Sequence, residues 1–183
     1  METQEGILER FSLVGKTGVE EHFVVKHVSP SDYPSVHAVI NDWWGGRVVS
    51  VYLQKLFFIH FTRTSFVIKK AQTGEIVAFL IGFPSQNPGE SYIHFIGVHP
   101  EYRKFGFASK LYHRFFDTMK RDFGCSKVWC ITSTKNTNSQ AFHKRMGFSF
   151  VEEGSHGRTE QGVPYFKDYD SVGDDKVKME RAL

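Results

Sequence analysis

Only two cysteines, Cys125 and Cys130, stand in 183 residues. Five apart on a β-prone stretch, they form neither a disulfide framework nor the paired spacing of a zinc site, so two reduced thiols and no metal are expected. No apolar run reaches membrane-spanning length, and no apolar leader follows the N-terminus, which sets the expectation of a soluble cytoplasmic protein without a membrane partner. Runs of five or more Lys or Arg are also missing. The net charge of +3 is too small to argue for nucleic acid, although it suits an anionic ligand. Gly15-Lys16-Thr17 has the ending of a phosphate-binding P-loop, but Arg10 occupies the place of the required glycine, which excludes that motif. There is no internal repeat and no low-complexity tract.

What is present supports one domain, residues 1–183, with a largely aromatic core: 40% of residues are apolar and 18 are phenylalanine. Residues 1–20 read equally as a loose leader or as a short leading strand around Phe11–Val14. His22–Val28 predicts a strand. Ser31 or Asp32 caps a helix reaching about Asp42, with Val36, Val39 and Ile40 inward. Trp43-Trp44-Gly45-Gly46-Arg47 breaks it, and the apolar run Val48–Phe61 predicts a second helix. Ser65–Ala71 and Glu75–Phe83 form a hairpin through Gln72-Thr73-Gly74. Later come a strand at Lys127–Thr132, a helix from Asn136 to Met146 ended by Gly147, and a strand at Phe148–Glu152. A polar excursion spans Gly154–Asp175, and a closing strand alternates Val177, Met179 and Leu183 with mostly charged residues.

The stretch from Tyr92 to Phe123 organises the rest. Tyr92–Val98 is a β-prone run ended by Pro100. Arg103-Lys104-Phe105-Gly106-Phe107-Ala108 follows. Phe107, Leu111, Phe115, Met119 and Phe123 then fall four apart on one apolar helix face. Strand, basic glycine turn, helix is an arrangement that attracts an anion. The first helical turn leaves amides without partners, the helix dipole adds to them, and Gly106 lets the backbone approach closely. A pyrophosphate is the natural guest.

Arg103, Gly106 and Ala108 resemble the Q/R-x-x-G-x-G/A motif of the GNAT N-acetyltransferases, and Ile96-Gly97-Val98-His99-Pro100 is similar to that family's fourth strand. Asn136, Ser139, Phe142, Gly147 and Phe148 match its second motif in register. The resemblance covers roughly residues 22–183. It implies an α/β (α+β) fold with a mixed, largely antiparallel sheet of about seven strands flanked by helices, in the order β-α-α-β-β-β-α-β-α-β-β. It implies acetyl-CoA as co-substrate and direct transfer to a primary amine of a small molecule or peptide. Homodimers are common in the family.

Residue by residue, the resemblance assigns the pyrophosphate to the amides of Arg103, Lys104, Phe105, Gly106, Phe107, Ala108 and Ser109. It assigns the pantetheine arm to Ile96, Gly97 and Val98, with Asn136 and Ser139 bonding it. The family's tyrosine, taken to protonate the departing thiolate, is replaced here by His143. That residue reads evenly as a substitute acid or as a packed helix residue. His94 is the candidate base, on one strand face with Ile96 and Val98, against the alternative of a satisfied strand histidine. Glu90 acting through water is another option, and His99 reads as a turn residue. On the acceptor side stand Trp43, Trp44 and Arg47, with a second wall from Tyr165 and its neighbours His156, Arg158, Asp168 and Tyr169; core packing and solvated loop are the alternatives. An acyl-CoA-binding sensor without catalysis is the second reading of the whole chain.

Overall fold

A computed structural model describes residues 6–15 and 18–183. Lys16 and Thr17, from the rejected P-loop ending, lie outside the described residues, as does the start of the expected leader. The elements in order are β1 (Ile7–Val14), β2 (Glu20–His27), α1 (Tyr33–Trp43), α2 (Phe57–His60), β3 (Phe66–Lys70), β4 (Ile76–Pro84) and β5 (Glu90–Val98). Then follow α3 (Phe107–Phe123), β6 (Lys127–Ser133), α4 (Thr137–Arg145), β7 (Ser149–Phe150), β8 (Gly157–Arg158), β9 (Pro164–Tyr165) and β10 (Lys176–Ala182). The seven expected strands are β2 to β7 and β10. The leading strand left open by the sequence is real, and the polar excursion folds its own small hairpin, β8–β9.

The chain forms two compact units. One takes the described residues up to Phe83 with Phe95–Phe115, the other Pro84–His94 with Phe116–Leu183. The first carries the strand order β1-β2-β3-β4-β5. β1 to β4 pair antiparallel, and Phe23, Val25, Val67, Ile68, Phe79 and Ile81 are buried. α1 packs Val36, Ile40 and Trp43 into a cluster with Phe58, Val67 and Phe79. Asp32 tightens the entry to α1: its carboxylate accepts from the amide and hydroxyl of Ser29, each at 2.8 Å, and pairs with Lys69 at 2.7 Å.

The expected second helix is corrected. Val48–Phe61 folds as a 3-10 turn at Ser50–Tyr52 and a four-residue helix at Phe57–His60, with another 3-10 turn after it at Thr62–Thr64. Two causes are visible. The only side chains fully buried in the run are Leu53 and Phe58, five apart and therefore not on one helix face. The Asn41 side chain also takes the amides of Val49 and Ser50, both at 2.9 Å, and its NH₂ group donates to the Ser50 hydroxyl. That holds the start of the run in a turn.

In the second unit the order is β5-β6-β10-β7. β5 and β6 are parallel, and their pairing joins Glu90, Ser91 and Tyr92 to Lys127, Val128 and Trp129 before it ends. β10 runs antiparallel to β6 over its full length and also pairs with β7. β7 is shorter than the expected strand, because Val151 is the last residue there to bond β10, through Lys178. The expected thiols Cys125 and Cys130 are both buried and unpaired by disulfide, and burial raises the pKa of each.

Candidate functional site

The basic turn between β5 and α3 is anchored at both ends by aromatic packing. Tyr102 and Phe107 are buried, with stacked rings 5.8 Å apart. Phe23 meets Phe107 edge-on at 5.0 Å, and Phe11 of the leading strand meets it at 5.6 Å. The Tyr102 hydroxyl donates to Glu21 at 2.6 Å. Between the anchors, Lys104 has φ +73° and Gly106 φ +83°. A Cβ on Gly106 would meet nothing within 4 Å, so this position faces open space.

The first helical amide to find a carbonyl is that of Lys110, on Gly106 at 2.9 Å. Among the described residues, the amides from Lys104 to Ser109 make no hydrogen bond. Six consecutive amides without carbonyl partners at the mouth of a 17-residue helix fit a diphosphate. Lys104 is exposed and its ammonium has no protein partner among the described residues. The Arg103 guanidinium is engaged: Nε donates to the Val98 carbonyl at 3.4 Å and Nη2 to the Trp43 carbonyl.

Along β5, Ser91, Ile93 and Gly97 are buried, while Tyr92, His94, Ile96 and Val98 are half-buried. The alternation puts His94 on the face of Ile96 and Val98, as expected. Its ring lies 6.0 Å from that of Tyr92. Gly97 is where aromatic rings press onto the strand: a Cβ there would stand 2.5 Å from Phe79 Cε1 and 2.9 Å from Trp44 Cη2. Glu90, at the start of β5, accepts from Asn87 and lies 3.7 Å from the Lys127 ammonium. His99 takes the turn role: its Nδ1 accepts from the Glu101 amide.

The two tryptophans part company. Trp43, 6% exposed, belongs to the core cluster and meets His99 edge-on at 5.5 Å. The core alternative therefore holds for it, and it does not form a wall. Trp44 is half-buried against Phe79, Phe95 and Gly97. Arg47 is exposed and folds back, Nε donating to the Trp44 carbonyl at 3.2 Å across Gly45 and Gly46.

In the second unit, the Asn136 side-chain oxygen caps α4 by accepting from the Ser139 amide at 3.3 Å. His143, one turn beyond Ser139, is 4% exposed. Its Nδ1–H donates to the Ser139 carbonyl at 2.7 Å, and its ring meets Phe148 edge-on at 5.3 Å. Burial lowers its pKa, so the neutral ring is favoured. Gln140 and Arg181, which sequence reasoning passed over, complete this corner. Buried Gln140 donates to the carbonyls of Ser133 and Thr134 where β6 ends. Arg181 of β10 donates to the Met146 carbonyl at 2.6 Å, closing the end of α4. A glutamine on a short helix and an arginine on an alternating strand carry no pattern that marks either. Tyr165 lies in β9 with its ring against Gly157, and Arg158 beside it pairs with Glu152 at 2.6 Å. His156 Nδ1 accepts from the Lys167 amide and Asp168 accepts from the Gly173 amide, while Tyr169 is exposed. Among the described residues, no group of three His, Cys, Asp or Glu could hold a metal ion.

Solved structures share this fold at low identity. Ard1 from Thermoplasma volcanium matches 88% of this chain and 97% of its own, with TM-score 0.68 and 20% identity. Diaminobutyrate acetyltransferase EctA from Paenibacillus lautus, in complex with L-2,4-diaminobutyric acid and coenzyme A, matches 88% and 95%, with TM-score 0.63 and 18% identity. Arabidopsis thaliana Naa50 in complex with the bisubstrate analogue CoA-Ac-MVNAL matches 88% and 99%, with TM-score 0.65 and 14% identity. A search of curated sequences finds no match. A model of the acetyltransferase (GNAT) family matches residues 32–148, which include both β5–α3 and the Asn136–Phe148 segment. With that match across most of its length, the chain belongs to the GNAT family of N-acetyltransferases.

Proposed function

We propose that this protein transfers an acetyl group directly from acetyl-CoA to a primary amine of a small molecule or peptide. The observation that carries the reading is the row of unbonded amides from Lys104 to Ser109, with Gly106 facing open space. These residues would hold the pyrophosphate, and Lys104 would add charge. Acetyl-CoA supplies an activated thioester carbonyl; a C–N bond forms, the C–S bond breaks, and CoA leaves as a thiol while the amine loses a proton.

Ile96, Gly97 and Val98 would present backbone N–H and C=O groups to the pantetheine arm, and one N–H would hold the thioester oxygen. In the second unit the Asn136 oxygen is committed to its cap, so its NH₂ group is the part of that side chain that would be left to bond a ligand. An alkylammonium has a pKa near 10.4 and must lose a proton before attack; His94 would take it, on the half-buried face of β5. Trp44 and Arg47 would contact the acceptor. EctA and Naa50, bound to an amino acid and to a peptide analogue, show how widely acceptors range among proteins of this fold.

The second reading, a CoA-binding module without turnover, draws on His143. Its Nδ1–H is given to a carbonyl and burial disfavours the imidazolium, so it is poorly placed to protonate a thiolate.

Titration with CoA and a free-thiol release assay over a panel of amines separate the readings. Turnover with an amine supports transfer. Tight binding of acetyl-CoA with no thiol released from any acceptor supports the module. Gly106→Asp should abolish CoA binding, since it places bulk and negative charge in the cradle; retained binding removes the basis for both readings.

A further inference from the structure

The motif's arginine does not face the cradle. The Arg103 guanidinium bridges two backbone carbonyls, that of Val98 at the end of β5 and that of Trp43 at the end of α1. Trp43 is the last residue of α1, so its carbonyl is one of the helix's orphan acceptors, and a cation there also answers the negative end of the helix dipole. Directly beyond it, the chain turns through Trp44-Gly45-Gly46-Arg47 with φ +71° and +82° at the two glycines. That turn is closed by the amides of Gly45 and Gly46 on Asp42 and Asn41, both at 2.9 Å.

We infer that Arg103 is a positioning residue for the acceptor side. It ties the end of α1, one residue before the Trp44–Arg47 turn, to the end of β5, and Lys104 supplies the charge that the anionic ligand meets. The inference rests on the proposed acetyl transfer for its functional meaning, but the tie itself is a property of the free protein. A guanidinium suits it because its rigid fork reaches two separate carbonyls at once, whereas an ammonium is a single point of charge. The half-buried ring of Trp44 rests on Gly97 and Phe95 of β5, so the turn has one apolar and one polar attachment to the same strand. Removing the polar one leaves the Trp44 ring as the attachment to β5, with the Gly45 and Gly46 amide bonds still closing the turn.

The test compares Arg103→Met, Arg103→Lys and Lys104→Met in the full chain. Amide hydrogen exchange at Gly45 and Gly46 is read without ligand, and CoA affinity is read by calorimetry. Both Arg103 variants should speed exchange at the two glycines by roughly tenfold or more, with CoA affinity changed by less than about threefold. Lys104→Met should weaken CoA by roughly threefold to tenfold and leave exchange at those glycines unchanged. The inference is overturned if Arg103→Met leaves exchange unchanged while CoA weakens roughly tenfold, or if Arg103→Lys behaves as wild type in exchange, since charge alone would then suffice. Should the wild-type protein fail to bind CoA at all, the proposed activity falls, while the exchange data still decide the role of Arg103.

Discussion

Gly97→Ala puts one methyl group where two rings already stand. Its Cβ would lie 2.5 Å from Phe79 Cε1 and 2.9 Å from both Phe79 Cζ and Trp44 Cη2. Phe79 is fully buried, and its ring touches those of Trp43 and Trp44, so it has no room to swing away. Overpacking of this kind costs about 1–3 kcal/mol. Alanine in place of a strand glycine recovers about 0.5–1 kcal/mol of backbone entropy. The collision lies well inside contact distance, so the upper part of the overpacking range applies, and the net loss is about 1–2 kcal/mol. For a chain of this size that lowers Tm by about 2–8 °C. Urea unfolding of Gly97→Ala, Phe79→Leu and the double variant supplies the check. The smaller side chain at position 79 should relieve the clash, making the double variant more stable than the sum of the two losses by about 1 kcal/mol. Wild-type stability in Gly97→Ala, or strict additivity in the double variant, would refute the packing argument.

Asn136→Ala removes the cap of α4 and should cost about 1 kcal/mol, or about 2–4 °C in Tm; an unchanged melt would show that the cap contributes nothing. His143 tests the link between burial and titration. Its pKa is pushed below the ordinary 6.5 by burial, so just below that pH the unfolded chain binds a proton that the folded chain refuses, and stability falls with acidity there. His27 shifts in the same direction, also chiefly by burial. His143→Phe should therefore shrink, without abolishing, the loss of urea midpoint between roughly pH 8 and pH 5.5. An identical loss in wild type and variant would mean the ring titrates freely. The same variant should keep turnover within about threefold at neutral pH; a fall well beyond that with CoA affinity unchanged would restore the acid role of His143.

The sequence alone determined the parts whose signals are local. Period-2 alternation in Tyr92–Val98, four-residue spacing from Phe107 to Phe123 and the Asn136 cap are written in neighbouring residues, and the structure has them where expected. The glycine turn was legible for the same reason: a helix start with a glycine before it leaves bare amides whatever the rest of the chain does. Tertiary structure decided what depends on distant partners. The run Val48–Phe61 has enough apolar residues for a helix, but Asn41 and the two core places filled by Leu53 and Phe58 break it into turns. Trp43 and Trp44 are identical neighbours, and only the packing of α1 sends one ring to the core and the other onto Gly97. Arg103 sits in a phosphate motif by sequence, yet its side chain answers to a carbonyl sixty positions away. Local spacing sets which backbone shape each segment prefers, whereas the destination of a long or aromatic side chain is set by whichever buried space or orphan carbonyl the folded chain brings beside it.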